Sequence, residues 1–524
     1  MADSITKENP GIYKELKALR EDVKDLKALM HGTPVQKVET PPENQPQSVG
    51  EPYFDLESGK FPWMTIKSPI FVNLAFPDIA DLEELIRHKS LSPDEVNFEI
   101  SESSFFVGTD EAFSRYFQHV HIWYPLFDHS TYLQLLNLLV DERTLPEHDS
   151  MYCCAVLIYC LANILSPESD GLSDVPLSQA YKCLPRVLTE ESMSSVQALI
   201  LFGIYFLSTM RPYESMTYMQ MSFTKFLSVA VRYKVKHYEL PPTLVRVFWV
   251  IYVMTMELAA YLVSEEVKRL VHEADSMELP LSFESLFGAG YPVCTLQSCP
   301  ICLHREKWRI SDAYLLSEIT MRRFLQRSTF LGLFSITSEY DVSPSRLGFA
   351  PVVVKELLQQ LDEWRQCLPE DLLRSPSDKS SSSREFLELQ YFACLVTINW
   401  PAAYSILTGV LTDTELQFDN SVNDAAKNFF ATFESFTDGF NIMLENWLDQ
   451  QQNGVYYVPY IWTIGITQFV FLAAAKAAST STSLGTDTAR ITDVSRKGIY
   501  NLRRLVVKCP MLGYCYQLAQ EKLS

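Results

Sequence analysis

Glycine is scarce in this chain, with 18 among 524 residues, and no stretch alternates apolar and polar side chains as a half-buried strand does. Glycine-rich phosphate loops, nucleophile elbows and zinc-protease helix motifs do not occur in the sequence. We therefore expect neither catalysis nor a cofactor. The long apolar stretches have helical spacing, so the sequence predicts an all-α fold.

Positive charge is also in deficit, with 44 lysines and arginines against 64 acidic residues and a net charge of −20. A surface this acidic repels phosphate backbones, so the chain is expected to bind nucleic acid poorly by itself. The polar N-terminus does not resemble a secretory signal. Because several of the 11 cysteines lie in apolar runs, we expect unpaired thiols in a reducing compartment.

Charge is absent altogether from residues 192–210 and 450–475. Both stretches are long enough to suggest a membrane span, but they contain polar residues and have no Lys/Arg cluster at one flank. Buried helices of a large α-helical domain are the favoured interpretation.

The first helical segment, "IYKELKALREDVKDLKALM", places apolar residues alternately three and four positions apart, which is a heptad seam. In a parallel pair Glu15 would face Arg20 of the second copy, an opposite-charge contact. We predict dimerisation here, and the alternative is an amphipathic helix docked on its own domain. The seam residues are Ile12, Leu16, Leu19, Val23, Leu26 and Met30.

Composition divides the chain into a dimerisation helix at 1–31, a proline-rich linker and lead-in at 32–100, and a helical body at 101–524. The linker holds "HGTPVQKVETPPENQPQSVGEP", which has too few large apolar residues to form a core. Within the body, residues 375–385 are predicted to form a mobile loop, and residues 478–490 to separate the last two helical segments.

Two clusters could carry chemistry. In "YFQHVHIWYPLFD" the residues His119 and His121 are two apart on a predicted helix ended by Pro125, so they point to different faces and are expected to pack structurally. In "CTLQSCPICLH" the pair Cys299 and Cys302 has the two-residue spacing that suits zinc. No second such pair occurs, so loop thiols are favoured over a metal site.

Several segments resemble, in order, the regulatory domain of fungal binuclear-zinc-cluster (Zn2Cys6) transcription factors, the fungal-specific transcription factor domain or middle homology region. They include "YFQHVHIWYPLFDHSTYLQLL", "SSVQALILFGIYFLSTMRP" and "VRVFWVIYVM", and together they span about residues 105–405. The resemblance implies an all-α regulatory domain. The matching positions are Tyr116, Phe117, His121, Pro125, Asp128, Gln197, Tyr205, Arg211, Pro212, Arg246, Phe248, Trp249 and Tyr252.

The chain departs from that family where its zinc cluster would stand. The cluster needs six closely spaced cysteines among basic residues, and none of the 11 cysteines is so arranged. After "VRVFWVIYVM" the chain reads "TMELAAYLVSEEVKR", where the family commonly shows an Asp-Arg followed by Gly-Arg-Pro. The expectation is a factor whose DNA-reading module is absent from this chain.

The resemblance implies a nuclear transcriptional regulator, of a metabolic or secondary-metabolite gene set, acting through homodimers or heterodimers and reaching DNA only indirectly. A small-molecule effector is a further expected partner, and no membrane partner is expected. One alternative is a co-regulator that weakens DNA binding by a complete zinc-cluster protein. Another is a helical enzyme with a metal at Cys299 and Cys302.

Overall fold

Helices make up 86% of the residues that the computed structural model describes, and these residues contain no strand, which confirms the all-α prediction. The structure describes residues 106, 108–140, 149–165, 174–235, 238–262, 266–281, 305–331, 351–373, 382–407, 420–451, 457–480, 488–506 and 509–523. The predicted dimerisation helix at 1–31 and the linker at 32–100 lie outside these residues.

The fifteen described α-helices are numbered here in chain order. They are α1 (Thr109–Arg115), α2 (His129–Val140), α3 (Ser150–Ile164), α4 (Asp174–Thr189), α5 (Met193–Ser208), α6 (Pro212–Val235), α7 (Pro242–Ala259), α8 (Glu266–Ser276), α9 (Arg305–Leu331), α10 (Pro351–Gln366), α11 (Ser382–Leu407), α12 (Asn420–Gln451), α13 (Ile461–Thr480), α14 (Thr488–Leu505) and α15 (Pro510–Lys522). A π-helical turn follows α1 at Tyr116–Val120, and a 3-10 turn lies at Glu370–Leu372.

Successive helices pack on one another along the chain. Helix α5 lies against α3 and α6, α7 lies between α6 and α9, and α11 connects α9 with α12. Helices α13, α14 and α15 pack together, and α14 also contacts α12. Their facing sides form one continuous apolar core.

Helix α5 is the most completely buried of the early helices, as its uncharged sequence predicts. Ser192 and Ser195 form a reciprocal capping box at its start. Every residue of α5 from Ser195 to Leu207 is buried. Gly203 permits the close approach of α6, because a Cβ at this position would lie 2.2 Å from the Met219 side chain.

Two described helices are long and apolar enough to cross a membrane by length and composition alone, Pro242–Ala259 and Ile461–Ser479. Of these two windows, 78% and 94% are buried, as in core helices. The uncharged stretch 450–475 is not a single helix, because α12 ends at Gln451 and α13 begins at Ile461.

Three predicted boundaries differ from the structure. The helix expected to run to Pro125 gives way to the π-helical turn after Arg115, and this turn ends at Val120. Residues 375–385 are not a loop throughout, because α11 begins at Ser382. Residues 478–480 are still helical, and the separation before α14 is correspondingly shorter.

Candidate regulatory core

The segment between the π-helical turn and α2 forms a buried corner around His121. The imidazole packs against Phe117, with ring centroids 4.7 Å apart. Its Nε2 atom lies 3.2 Å from the amide nitrogen and 3.1 Å from the carbonyl oxygen of Phe127, so either tautomer finds a backbone partner. Burial lowers the pKa of His121 to about 3, and the positive charge of the nearby Arg246 contributes to the same shift. The side chain is therefore a neutral packing element.

Two further side chains satisfy the backbone of this corner. The side-chain amide of Gln197 at the start of α5 donates to the Leu126 carbonyl at 2.7 Å. Asp128 caps α2 by accepting from the Thr131 amide at 2.8 Å and from its hydroxyl at 2.7 Å. Backbone N–H and C=O groups that are buried outside a helix need hydrogen-bond partners. This need explains why these two polar side chains lie in an apolar region.

The start of α9 fastens the same corner to α7. Ser311 Oγ donates to the Ile122 carbonyl at 2.8 Å. The next residue, Asp312, accepts from Arg246 Nη1 at 2.5 Å, and the other terminal nitrogen of Arg246 donates to the Leu281 carbonyl. Arg246 thus connects α7, α9 and the chain that follows α8.

Trp249 extends this connection along α7, and the Tyr252 ring packs edge-on against it. The Trp249 indole is completely buried and donates to the Glu278 carbonyl at 2.6 Å. Arg323 stacks over its ring at 5.1 Å and donates to the Ala274 carbonyl at 3.0 Å. These contacts hold α8 and residues 277–281 against the core.

Three further matched positions, Tyr205, Arg211 and Pro212, lie at the far end of α5. Arg211 stacks over Phe206 at 4.7 Å and pairs with Glu214 at 2.5 Å. Pro212 is the first residue of α6, where a missing amide hydrogen costs nothing. The buried Tyr205 packs edge-on against Phe206. The structure therefore brings one subset of the matched residues to the buried corner and another to the α5–α6 turn.

An ionic network that sequence reasoning missed lies deeper in the core. Arg322 of α9 pairs with Glu257 of α7 and, at 2.9 Å, with Glu318 one turn earlier on its own helix. The side chains of all three are at most 4% exposed. Arg322 also donates to Gln390 of α11 at 3.3 Å, and Glu257 accepts from the Thr463 hydroxyl of α13. The network thereby joins four helices.

The network holds two carboxyl groups for one guanidinium group. Burial raises the pKa of Glu318 from 4.5 to about 6; Glu257 adds to this shift and Arg322 opposes it. Glu318 Oε1 and the hydroxyls of Tyr314 and Tyr460 make no hydrogen bond within the described residues. The hydroxyls of Tyr124 and Tyr460 lie near each other but outside hydrogen-bonding geometry.

One weak signal for this network exists in the sequence. Arg246 and Glu257 are the only charged residues of helix α7, and both are buried and paired. A lone charge within an apolar helix indicates a buried partner. Residues 314–328 have an amphipathic pattern that gives no such signal, although Glu318 and Arg322 are buried.

The eight cysteines in the described part of the chain are present as thiols, and seven of them are buried. Burial raises the pKa of the Cys160, Cys394 and Cys515 thiols above the ordinary range, which keeps them protonated. The candidate metal ligands Cys299 and Cys302 lie outside the described residues. Among the described residues no group of three or more His, Cys, Asp or Glu side chains is placed to hold a metal ion.

Comparison with known proteins adds one relative. Over 392 residues the chain is 24% identical to a protein of Aspergillus rugulosus named "Putative transcription factor ecdB". The match covers 71% of this chain and 64% of the relative, so it spans slightly less than two thirds of the relative's length. No protein-family model and no solved structure matches. The chain is thus similar to a fungal protein that is named as a transcription factor.

Proposed function

We propose that this chain is a nuclear transcriptional regulator of the fungal zinc-cluster type that acts through dimerisation and protein contacts. The observation that carries the proposal is the similarity to a protein named as a transcription factor over most of the chain. His121, Gln197 and Trp249 also support it. All three are matched positions of the regulatory-domain resemblance, and each forms a hydrogen bond to the backbone in the core. The helical body then serves as a scaffold that presents contact surfaces.

Fusing the full chain to an unrelated DNA-binding domain tests this function. A regulator that recruits or blocks other proteins will change transcription of a reporter carrying the matching site. The unfused chain, expressed at the same nuclear level, is the control and is expected to leave that reporter unchanged. An unaltered reporter with the fusion would contradict the proposal.

A second candidate is a co-regulator that pairs with a complete zinc-cluster protein and weakens its DNA binding. The net charge of −20 favours it, since such a chain adds repulsion and no phosphate contacts to the complex. Mapping the 5′ end of the transcript separates the candidates. An upstream in-frame segment with cysteine pairs among basic residues would make the protein a DNA-binding factor in its own right.

Zinc analysis of the purified full chain tests the enzyme alternative. Stoichiometric zinc that is lost in Cys302→Ser would favour a metal site at Cys299 and Cys302. Substoichiometric zinc that is unaffected by this substitution would leave the regulatory proposal in place.

A further inference from the structure

Four of the described cysteines lie in two neighbouring helices. Cys153, Cys154 and Cys160 belong to α3, and Cys183 belongs to α4. The two helices pack against each other, and both contact α5. All four side chains are buried. This helix pair thus holds half of the eight cysteines that the structure describes.

Cys153 and Cys183 lie side by side at the contact between α3 and α4. The Cys153 thiol donates to the carbonyl oxygen of Ala180 at 3.6 Å, and the Cys183 thiol donates to that of Gln179 at 3.4 Å. These two carbonyl groups are adjacent in α4, so both sulfur atoms lie beside the same turn of that helix. The two thiols are also within hydrogen-bonding reach of each other. The pair therefore has the proximity that a disulfide bond requires.

The other two thiols of α3 are less well placed to react with Cys183. The Cys154 thiol donates to the Ser194 carbonyl of α5 at 3.3 Å, because consecutive residues of a helix point in different directions. Cys160 comes seven positions after Cys153, which is about 10 Å farther along the helix axis. Cys153 is therefore the α3 residue that can reach Cys183.

The two neighbouring thiols differ in acidity. Their mutual hydrogen bond lowers the pKa of Cys183 and raises the pKa of Cys153. Burial opposes the lowering at Cys183, and the positive charge of Lys182 adds to it. A thiolate is the form of cysteine that attacks an oxidant. Cys183 is thus the residue that would react first, with Cys153 as the second thiol beside it.

Access to the buried Cys183 depends on α4, which is an outer helix. Lys182, Pro185 and Arg186 of this helix are exposed. Pro185 lies inside α4, and an interior proline removes one backbone hydrogen bond of the helix. The missing bond would run from residue 185 to residue 181, so the weakened turn contains Cys183. Local opening of this turn exposes the thiol while the rest of the core remains packed.

We propose that Cys153 and Cys183 form a reversible disulfide when the protein meets hydrogen peroxide. The Cys183 thiolate attacks one peroxide oxygen, the O–O bond breaks, and the products are a sulfenic acid and, after protonation, one water molecule. The Cys153 sulfur then attacks the sulfenic sulfur, and the hydroxyl group leaves with the Cys153 proton as a second water molecule. Two thiols are thereby oxidised to one disulfide, and one peroxide is reduced. A dithiol reductant reverses the reaction by thiol–disulfide exchange.

The bond would join α3 covalently to α4 beside the buried helix α5. The two cysteines are 30 positions apart in sequence, so the cross-link restricts the unfolded chain. The end of α4 is also fastened to α6, because the Lys225 ammonium group donates to the Glu190 carbonyl at 2.9 Å. Oxidation would therefore stabilise this side of the helical body. The inference does not depend on a role in transcription.

Peptide mapping of the full chain after treatment with hydrogen peroxide tests the disulfide. Once free thiols are blocked, trypsin places Cys183 in a peptide of residues 183–186 and Cys153 in a peptide of residues 144–182. We expect these two peptides as a cross-linked pair, about 2 Da lighter than their sum, that dithiothreitol separates. A peptide 183–186 that keeps its free thiol, or that is oxidised without joining the other peptide, would overturn the proposal.

Single serine variants identify the partner of Cys183, because the peptide of residues 144–182 contains three cysteines. Cys154→Ser and Cys160→Ser are the matched controls and should retain the cross-linked pair. Cys153→Ser should lose it, and Cys183 should then accumulate as a sulfenic acid that dimedone traps. A cross-link that survives Cys153→Ser would show that another thiol is the partner, and the assignment would be wrong.

Pro185→Ala tests the route by which peroxide reaches Cys183. Alanine restores the backbone hydrogen bond of this turn, so we expect the cross-linked pair to appear about tenfold more slowly. Leu188→Ala, at an exposed position of the same helix, is the control and should leave the rate unchanged. Equal rates in Pro185→Ala and the unmodified protein would rule out opening of α4 as the route.

Discussion

Arg322 and Glu257 form an ion pair in the interior of the helical body, with 3% and 4% of their side chains exposed. The two residues come from α9 and α7, and Glu318 is the second acidic partner of the arginine. Burying charge is costly, so such a pair is retained where it specifies one arrangement of helices among several. We expect Arg322 and its two acidic partners to fix how α7, α9 and α13 pack together.

Replacing the arginine tests that role. Arg322→Met leaves two carboxyl groups buried without a cation, and we expect the free energy of unfolding to fall by about 3–5 kcal/mol. Chemical denaturation followed by circular dichroism measures the change. Arg309→Met, at an exposed position of the same helix, is expected to fall within about 0.5 kcal/mol of the unmodified protein. Equal effects of the two substitutions would refute a structural role for the pair.

The pH dependence of stability tests the environment of Glu318. Burial raises its pKa from 4.5 to about 6 in the folded protein. Between these values the folded state binds more protons than the unfolded state, so the contribution of Glu318 is fully present below pH 4.5 and is lost as the pH rises through 6. Relative to Glu318→Gln, the unmodified protein should lose about 2 kcal/mol between pH 4.5 and pH 7.

Stability curves for both proteins at a series of pH values measure this difference. Glu257→Gln serves as the comparison, because it keeps an acceptor for the Thr463 hydroxyl but removes the charge that pairs with Arg322, and it should destabilise the protein. A difference between the unmodified protein and Glu318→Gln that stays constant with pH would contradict the raised pKa.

The cap of α2 gives a third prediction. Asp128→Ala removes the acceptor of the Thr131 amide and hydroxyl, and we expect a loss of about 1 kcal/mol in the free energy of unfolding. Asp128→Asn keeps an acceptor oxygen and should lose much less. If alanine and asparagine behave alike in thermal denaturation, the capping interpretation fails.

Trp249 should anchor the core. It is completely buried, and its indole holds the Glu278 carbonyl. Trp249→Ala is expected to cost about 3–5 kcal/mol through the cavity that it leaves. Tyr500→Ala, at an exposed site, is the control. A melting temperature that does not respond to Trp249→Ala would show that this face of α7 is not packed.

The predicted seam gives a fifth test, at residues outside the described structure. Leu19→Asp and Leu26→Asp together place charges in the a/d interface, which opposes pairing. Light scattering at low protein concentration should then give a mass close to the 60.0 kDa of one chain, because any weaker contact also dissociates there. A dimeric mass unaffected by these substitutions would remove the seam from consideration.

Sequence reasoning found the helices more reliably than their ends. The apolar run at 196–208 predicts a buried helix, and α5 covers it. The end predicted at Pro125 was wrong, because the backbone after Val120 takes its hydrogen bonds from Gln197, His121 and Ser311 instead of from a helix. Gln197 and Ser311 come from other helices, so no local pattern around Pro125 reveals these partners.

The periodicity of apolar residues determined the fold class by itself, because a 3.6-residue repeat can bury its apolar side only as a helix. Composition likewise determined the net charge and the sparing use of glycine. Only the tertiary structure decided that Glu257 meets Arg322 and that both side chains are buried. Charges on separate helices become neighbours only when the helices pack, and a charged side chain is buried only where other helices cover it.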